Sequence, residues 1–318
     1  MEAAAAAPSP GIQKSLDRIN AQVAAGAAYE AQQMYKTVYH RCKARRAAAD
    51  GYAVLRGGAV TQLQAGQVTC GMELAGLLVA AYAADGVRAE GAALQSLLDV
   101  LAALPAPLPA ADGDDGAAAL GEAARFAGAA LKWAHKAGGD AGVPRMHDAF
   151  AGWVWAAFGW RALAKAALHW SRGADAGAYA GALRAAAAEA GGGEWPLFVT
   201  RAVLQTLACA HAATVARQLA HAGDVLAACT ARDPGLAAQP LAHFCELLLQ
   251  ALALRKQPLV SLLTSRYSAA LGADPSFEAY LASIEALWFD VRPPGGGGGL
   301  LGGLLRAMLE GDELADDE

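Results

Sequence analysis

The sequence predicts an all-α protein built as a right-handed, tetratricopeptide-like solenoid of antiparallel helix hairpins. Alanine, the best helix former, supplies much of the 55% hydrophobic content, and no stretch alternates Val, Ile and Thr as a strand would. Glycine or proline separates segments of helical length. Gly26 and Gly66 lie about 40 residues apart, which suits one helix pair per repeat, although no clean sequence repeat is visible.

Five helices are predicted before the first long loop. The first helix places Ile12, Leu16, Ile19 and Val23 on one face. Gly66 is predicted to be the C′ glycine that ends the third helix. Three prolines, at positions 105, 107 and 109, then stop the fifth helix. The predicted helices are 12–23, 29–43, 47–65, 68–84 and 89–104.

Beyond this loop the helical pattern resumes, and Pro144 and Pro196 lie where first helical turns would start. The predicted helices are 120–136, 146–158, 161–170, 174–189, 196–211, 213–230, 240–254, 258–271 and 275–289. We therefore expect a disordered extension over 1–11 and a single solenoid over 12–290, with halves 12–104 and 117–290. Residues 291–318 read as a glycine-rich linker, a short apolar segment and an acidic tail.

The charge distribution disfavours nucleic acid as a partner, because the net charge is -5 and the pI is about 5.8. The charges are nevertheless unevenly placed. Residues 30–46 hold five lysines and arginines against Glu30 alone, and the end of the chain is acidic over 310–318. These runs are either solvated surface or two surfaces that attract partners of opposite sign.

The cysteines and the apolar segments indicate a cytosolic protein without stable membrane insertion. The five cysteines are scattered, without a CxxC pair, and read as reduced core residues. No apolar run is long enough to span a bilayer, and the start lacks a basic signal-peptide region. The segment 300–309 is short and followed by acids, so we expect a docking peptide for another protein or for its own solenoid.

No motif for catalysis, metal binding or a cofactor is found. The sequence has no phosphate-binding GxxxxGK[ST] loop, no GxSxG elbow and no HExxH zinc motif. Six tryptophans cluster between Trp133 and Trp195, and we expect them to pack in a helical core rather than form a cofactor cage. The sequence therefore predicts that the protein is not an enzyme and has no cofactor.

The second predicted helix carries more polar and aromatic surface than one core requires. Tyr29, Gln33 and Lys36 share one stripe at helical spacing, and Tyr35 and Tyr39 share another. A third stripe holds Met34, Val38 and Arg41. Because two such stripes cannot both face one core, one of them is predicted to be available for a partner.

Four segments together resemble the Golgi-to-ER traffic protein 4 family, the adaptor subunit of the transmembrane-domain recognition complex. They are YEAQQMYKTVYHR, ALKWAHKAGGDAGVPRMHD, PLFVTRAVLQTLAC and the closing PSFEAYLASIEALWFDVRPP with GGLLGGLLRAML. Their order and spacing agree over roughly residues 12–309. The resemblance implies a cytosolic, non-catalytic α-solenoid that works in delivery of tail-anchored membrane proteins to the endoplasmic reticulum.

The resemblance also implies partners and sites. In the family, the N-terminal helices dock on the targeting ATPase, here residues 12–104, and the C-terminal helices hold a ubiquitin-like subunit, here 117–290. That subunit recruits the client-loaded co-chaperone, and in animals a BAG-domain scaffold is a further partner. The expected ATPase face is Tyr29, Gln33, Lys36 and Glu73, the last at a position where family members carry an acid.

The resemblance also marks one departure from the family pattern and two candidate contact residues in the last helix. Many members carry a second acid seven residues after Glu73, where this chain has Ala80, so part of the ionic contact is absent here. Trp288 and Phe289 are the candidate contacts for the ubiquitin-like subunit, with a core role for both as the simpler alternative.

Two further hypotheses stay open beside this adaptor. One is a generic tetratricopeptide-like scaffold of an unrelated complex, which would use the same surfaces. The other is an enzyme of unrecognised type, which would need a polar pocket with converging titratable groups.

Overall fold

The protein is described by a computed structural model over residues 8–108, 113–138 and 142–290. Within these ranges the secondary structure is helical, with no strand. The chain divides into two compact units, unit 1 over Met1–Phe158 and unit 2 over Gly159–Glu318. The predicted class, an all-α solenoid of antiparallel helix hairpins, is confirmed.

Unit 1 is an array in which successive helices stack in order. Each of its first four helices packs against the next helix and against the one after that, and α7 packs on both α5 and α6. This is the contact pattern of stacked hairpins, in which each element touches near neighbours in sequence. The helices are α1 Pro10–Ala24, α2 Ala28–Ala44, α3 Ala48–Gln64, α4 Val68–Ala84, α5 Gly91–Ala102, α6 Asp114–Lys136 and α7 Val143–Phe158.

The turns of unit 1 recur every 20 residues. Gly26, Arg46, Gly66 and Gly86 each follow a helix in the left-handed conformation, with φ between 57° and 85°. At each turn the next residue donates its backbone N–H to a carbonyl five residues back, as Ala27 does to Gln22. This closes the helix end with a Schellman motif. Two such periods make the 40-residue hairpin that the sequence suggested.

The core of unit 1 is tightest where α2, α3 and α4 meet. Gly58 of α3 and Gly71 of α4 let neighbouring side chains approach their backbones closely. A Cβ at Gly58 would lie 2.8 Å from Tyr35 Cγ, and one at Gly71 would lie 2.6 Å from Leu63 Cγ. Glycine at these two positions thus sets the spacing of the stacked helices.

Unit 2 starts with a 3₁₀ turn, Gly159–Ala162, and ends with a helix that packs back on an earlier one. Successive helices from α8 to α12 pack in order, while α15 lies against α10. Arg201 of α10 donates through Nε to Asp274 Oδ2 at 3.0 Å, just before α15 begins. The helices are α8 Leu163–Trp170, α9 Ala176–Glu189, α10 Trp195–Ala208, α11 Val215–Arg232, α12 Pro240–Ala253, α13 Gln257–Arg266, α14 Ser268–Leu271 and α15 Ser276–Phe289.

Most predicted helices agree with the observed ones within a few residues, but two differ clearly. The helix expected over 120–136 begins six residues earlier, at Asp114, and the one expected over 258–271 is split. The split falls at Tyr267, whose ring packs against Phe244 and whose hydroxyl lies 2.8 Å from His243 Nδ1. These contacts to α12 hold Tyr267 outside the regular helix.

The boundary between the compact units falls after Phe158, whereas the functional halves 12–104 and 117–290 expected from the sequence stay a prediction. Helices on both sides of the proline-rich loop belong to unit 1, because α6 packs on α4 and α7 on α5. Trp153 of α7 also donates its indole N–H to the carbonyl of Pro105, at 3.1 Å. The first seven residues of the expected extension over 1–11 and the whole tail over 291–318 lie outside the described residues, whereas α1 begins at Pro10, inside that extension.

Candidate partner-binding surfaces

One stripe of α2 faces solvent. Tyr29 is 67% exposed, Gln33 is exposed, and Lys36 is partly covered. The opposite side of α2 packs against α1, α3 and α4, and its buried residues include Ala31 and Tyr35. The sequence predicted that one stripe would be left for a partner, and the Tyr29 stripe is the one that the packing leaves open.

The tyrosine stripe is part of the core. Tyr35 and Tyr39 are both buried, and the Tyr35 hydroxyl donates to the Asn20 side chain of α1. Burial raises the pKa of Tyr35 to about 12, partly offset by a hydrogen bond with Thr61. The third stripe is divided, because Val38 is buried and Arg41 is exposed.

Glu73 of α4 lies beside this exposed stripe. Its Oε2 accepts a hydrogen bond from Lys36 Nζ at 2.9 Å and another from the side-chain amide of Gln32. Gln32 also reaches the carbonyl of Cys70, at 3.4 Å, so α2 and α4 are joined by a small polar network. The structure thus places Lys36 and Glu73 in direct contact. We call Tyr29, Gln33, Lys36 and Glu73 the α2–α4 face.

A cluster of basic residues lies at the end of α2. Arg41, Lys43, Arg45 and Arg46 are all exposed, and Arg46 takes the left-handed conformation with φ 57°. A non-glycine residue in this conformation costs about 1 kcal/mol. The other three turns of the 20-residue series have glycine at this position. We call these four residues the basic turn.

The two candidate residues at the end of α15 differ in exposure. Trp288 is 5% exposed, so its ring packs inside unit 2 and offers almost no surface to a partner. Phe289 is partly exposed, and the neighbouring Leu287 is 36% exposed. Trp288 therefore takes the core position that the sequence offered as the simpler alternative, and its role in binding the ubiquitin-like subunit stays a prediction.

A second exposed surface in unit 2 was missed by sequence reasoning. Leu254, Leu259 and Leu262 are 63%, 41% and 64% exposed, and Val260 is the one fully buried residue of α13. Arg255, Lys256 and Arg266, also exposed, flank these leucines. We call these six residues the α13 face. The sequence signal for this surface is its charge, because no acid lies between Glu246 and Asp274 while three basic residues do.

The described residues offer little reactive chemistry. No group of three His, Cys, Asp or Glu side chains in this part of the chain could hold a metal ion. Burial raises the pKa of every cysteine, that of Cys229 and Cys245 to about 12, so all five are protonated thiols at neutral pH. These thiols are poor nucleophiles.

The tryptophan cluster is largely core, as predicted. Trp133, Trp153, Trp170 and Trp195 are buried, whereas Trp155 is partly covered and Trp160 is 52% exposed. The Trp170 ring stacks on Tyr179, with centroids 5.5 Å apart, as expected for aromatic packing between helices. Over the ranges that the structure describes, no helix is both long and apolar enough to cross a bilayer.

Comparison with known proteins decides the family. The family model of Golgi to ER traffic protein 4 matches residues 45–309, well over half of the chain. The chain belongs to this family. Among its curated relatives, the Golgi to ER traffic protein 4 homologs of Bos taurus and Homo sapiens are each 27% identical to it. The alignments cover 96% and 97% of this chain, and 92% and 90% of those proteins.

A solved structure of the family shares the fold. The crystal structure of C. therm. Get4 superposes with a TM-score of 0.71 at 21% sequence identity, covering 93% of this chain and 95% of that one. The family model begins at residue 45, after α2, whereas the alignments to the curated homologs span nearly the whole chain. The family resemblance inferred from the four segments is therefore confirmed.

Proposed function

We propose that this protein is a cytosolic adaptor in the targeting of tail-anchored membrane proteins to the endoplasmic reticulum. Its N-terminal helices would dock on a targeting ATPase, and its C-terminal helices would hold a ubiquitin-like subunit that recruits the client-loaded co-chaperone. An adaptor of this kind raises the effective concentration of client near the ATPase without new chemistry. Membership of the Golgi to ER traffic protein 4 family supports this role.

The observation that carries the ATPase assignment is the α2–α4 face. Tyr29 is a large aromatic side chain left 67% exposed next to a hydrogen-bonded charge pair, Lys36 and Glu73. Exposed tyrosines with polar neighbours are typical anchors of protein interfaces. The basic turn extends this surface with four exposed cations, so the part of the ATPase that meets it should be acidic.

The assignment of the ubiquitin-like subunit to unit 2 is supported by its exposed apolar side chains. Leu254, Leu259, Leu262 and Leu287 lie in the last helices, and Phe289 is partly exposed beside Leu287. Exposed apolar patches commonly mark protein contacts, and unit 2 has one on α12 and α13 and another at the end of α15. A BAG-domain scaffold would be a further partner on the same complex.

The proposed role needs no catalytic group or cofactor. The net charge of -5 does not favour nucleic acid as a partner.

The experiment is a binding measurement on a double variant, Tyr29→Ala with Lys36→Glu. The variant removes the aromatic anchor and places an acid beside Glu73, so repulsion should disrupt the α2–α4 face. We expect at least a tenfold loss of affinity for the ATPase in calorimetry, about 1.4 kcal/mol. The affinity for the ubiquitin-like subunit should stay unchanged.

The matched control is Lys132→Glu, which reverses an exposed lysine on α6 of the same unit. It makes the same change of charge outside the four residues of the α2–α4 face and should leave both affinities as they are. If the double variant keeps full ATPase affinity while its circular dichroism is native, the docking assignment is wrong. Failure of the unaltered chain to capture either partner would count against the whole proposal.

A further inference from the structure

We infer that the C-terminal tail of this chain, residues 300–318, docks on the α13 face of its own unit 2. The apolar segment would cover the exposed leucines, and the acidic end would lie along the flanking cations. The contact itself does not depend on the proposed function. The effect of this contact on partner binding rests on the proposed function, because the tail would have to leave the α13 face before the ubiquitin-like subunit could bind there.

The α13 face lacks the cover that an ordinary helix of the fold has. Only Val260 of its ten residues is fully buried, while Leu259 and Leu262 lie on one exposed side, three positions apart. Leu254 at the end of α12 adds a third exposed apolar side chain. Helices in water are stabilised mainly by packing of one apolar face, so α13 needs a partner to cover its leucines.

The tail has the composition that this face requires. Its apolar residues fall at positions that would share one side of a helix, with a spacing of four: Leu300, Leu301, Leu304, Leu305, Met308 and Leu309. Six acids follow, at positions 310, 312, 313, 316, 317 and 318. Three exposed cations flank the leucines of the α13 face, and no acid lies between Glu246 and Asp274. The apolar residues of the tail therefore match the exposed leucines of the α13 face, and the acids of the tail match its cations.

The linker is long enough for this contact. Residues 291–299 separate the last described residue, Asp290, from the apolar segment, and five of these nine are glycine. An extended chain of this length spans about 30 Å. The path from α15 through α10 and α12 to α13 crosses three pairs of packed helices, about 24–30 Å at usual helix spacings. The tail can thus reach the face of its own molecule.

A groove of about 630 Å³ between α11 and α12 is the competing location. Its lining is apolar apart from a few residues, among them Glu246 and Gln250. This groove could take the apolar segment, but none of its lining residues is a cation that could meet the six acids that follow. Charge therefore favours the α13 face.

Hydrogen exchange on the full chain tests the inference without any partner. The variant Leu304→Ser with Leu305→Ser removes the centre of the apolar segment and touches no described residue. We expect the amides of α13 to exchange on the order of fivefold faster in this variant, since a helix with one buried residue opens readily once uncovered. The control Gly296→Ser with Gly297→Ser alters the linker alone and should leave the exchange of α13 unchanged.

A charge exchange identifies the contact. In Arg255→Glu with Lys256→Glu, the amides of 300–309 should exchange faster than in the unaltered chain. Adding Asp316→Lys with Asp317→Lys should slow them again, because opposite charges then meet once more.

Three outcomes would overturn the inference. The first is unchanged exchange of α13 in the leucine variant. The second is protection of α13 that rises with protein concentration, which would make a second copy the occupant. The third is faster exchange confined to α11 and α12, which would place the tail in the groove. None of these measurements involves the ATPase or the ubiquitin-like subunit, so the proposed function stands or falls separately.

Discussion

Lys36 Nζ lies 2.9 Å from Glu73 Oε2 and so joins α2 to α4, two helices separated along the chain by the whole of α3. The pair sits at the edge of the face proposed to bind the ATPase, with Lys36 22% and Glu73 57% exposed. A partner charge that approaches this face therefore meets a neutral pair rather than a free cation or a free acid. The four exposed cations of the basic turn, at the other end of α2 from Tyr29, add net positive charge to this helix.

The ion pair should contribute little to stability, because both side chains are partly solvated. We expect Lys36→Met and Glu73→Gln each to cost less than about 1 kcal/mol, with a coupling of roughly 0.5 kcal/mol between them. A double-mutant cycle by urea denaturation measures this coupling. A coupling free energy above about 2 kcal/mol would show that the ion pair stabilises the fold of unit 1 rather than serving a binding surface.

Two glycines of α4 should respond in opposite directions to alanine. Gly71→Ala would place a Cβ 2.6 Å from Leu63 Cγ and 3.1 Å from the carbonyl oxygen of Ala59, so overpacking should cost about 1–3 kcal/mol. Gly76→Ala meets no atom within 4 Å and should stabilise the helix by about 0.5–1 kcal/mol. Thermal denaturation of both variants checks this, and equal shifts of the melting temperature would contradict the described packing of α3 on α4.

The protein should be less stable with arginine than with glycine at position 46, in the basic turn. Arg46 has φ 57°, so Arg46→Gly should relieve strain and stabilise the protein by up to about 1 kcal/mol. Gly66→Ala at the equivalent turn, with φ 77°, should destabilise it by a similar amount. If the first variant also weakens binding of the ATPase, then the arginine side chain serves the interface at a cost in stability.

Stability of unit 2 should fall at acid pH through Asp274. Burial acts to raise the pKa of this carboxyl, but hydrogen bonds from the Ser276 hydroxyl and backbone N–H and from Arg201 outweigh it, so the pKa is lowered. A carboxyl with a lowered pKa in the folded state stabilises fully above its unfolded value, about 3.9. This contribution is lost as the pH falls through the folded value.

The substitution Asp274→Asn should therefore cost about 1–3 kcal/mol at pH 7 and progressively less below pH 4. Denaturation of both proteins across pH 3–7 gives the comparison. The conservative control is Glu246→Gln on α12, whose carboxyl is not part of this network. A pH-independent difference between Asp274→Asn and the unaltered chain would argue against the hydrogen-bonded carboxylate.

The helices of this fold could be predicted from sequence because glycine and proline mark their ends. The regular turns at Gly26 and Gly66 indicated the hairpin length, but Arg46 hid the equivalent turn between them. Only the backbone shows that an arginine takes the left-handed conformation there. The break at Tyr267 was missed for a similar reason, since it depends on contacts to α12 rather than on local sequence.

The candidate surfaces were predictable in part. Helical spacing predicted that one stripe of α2 would be left for a partner, because two rich stripes cannot share one core, and the family resemblance pointed to the Tyr29 stripe. The contact between Lys36 and Glu73 joins residues on different helices and required the packing of α2 on α4. Leu259 and Leu262 look like core residues in sequence, but among the described residues no helix covers them. Trp288 is the opposite case, because the sequence made it a candidate partner contact and the fold buries its side chain.

The 20-residue spacing of the turns in unit 1 also bears on how this protein can change over time. Because the main contacts of α1 to α4 reach only two helices along the chain, the effect of a substitution should fade within one hairpin. A whole hairpin could be gained or lost while the remaining interfaces persist, whereas an insertion of another length would shift every later helix out of phase. Divergence to 27% identity with the mammalian homologs is easier to tolerate in such an architecture than in a core where every residue depends on distant ones.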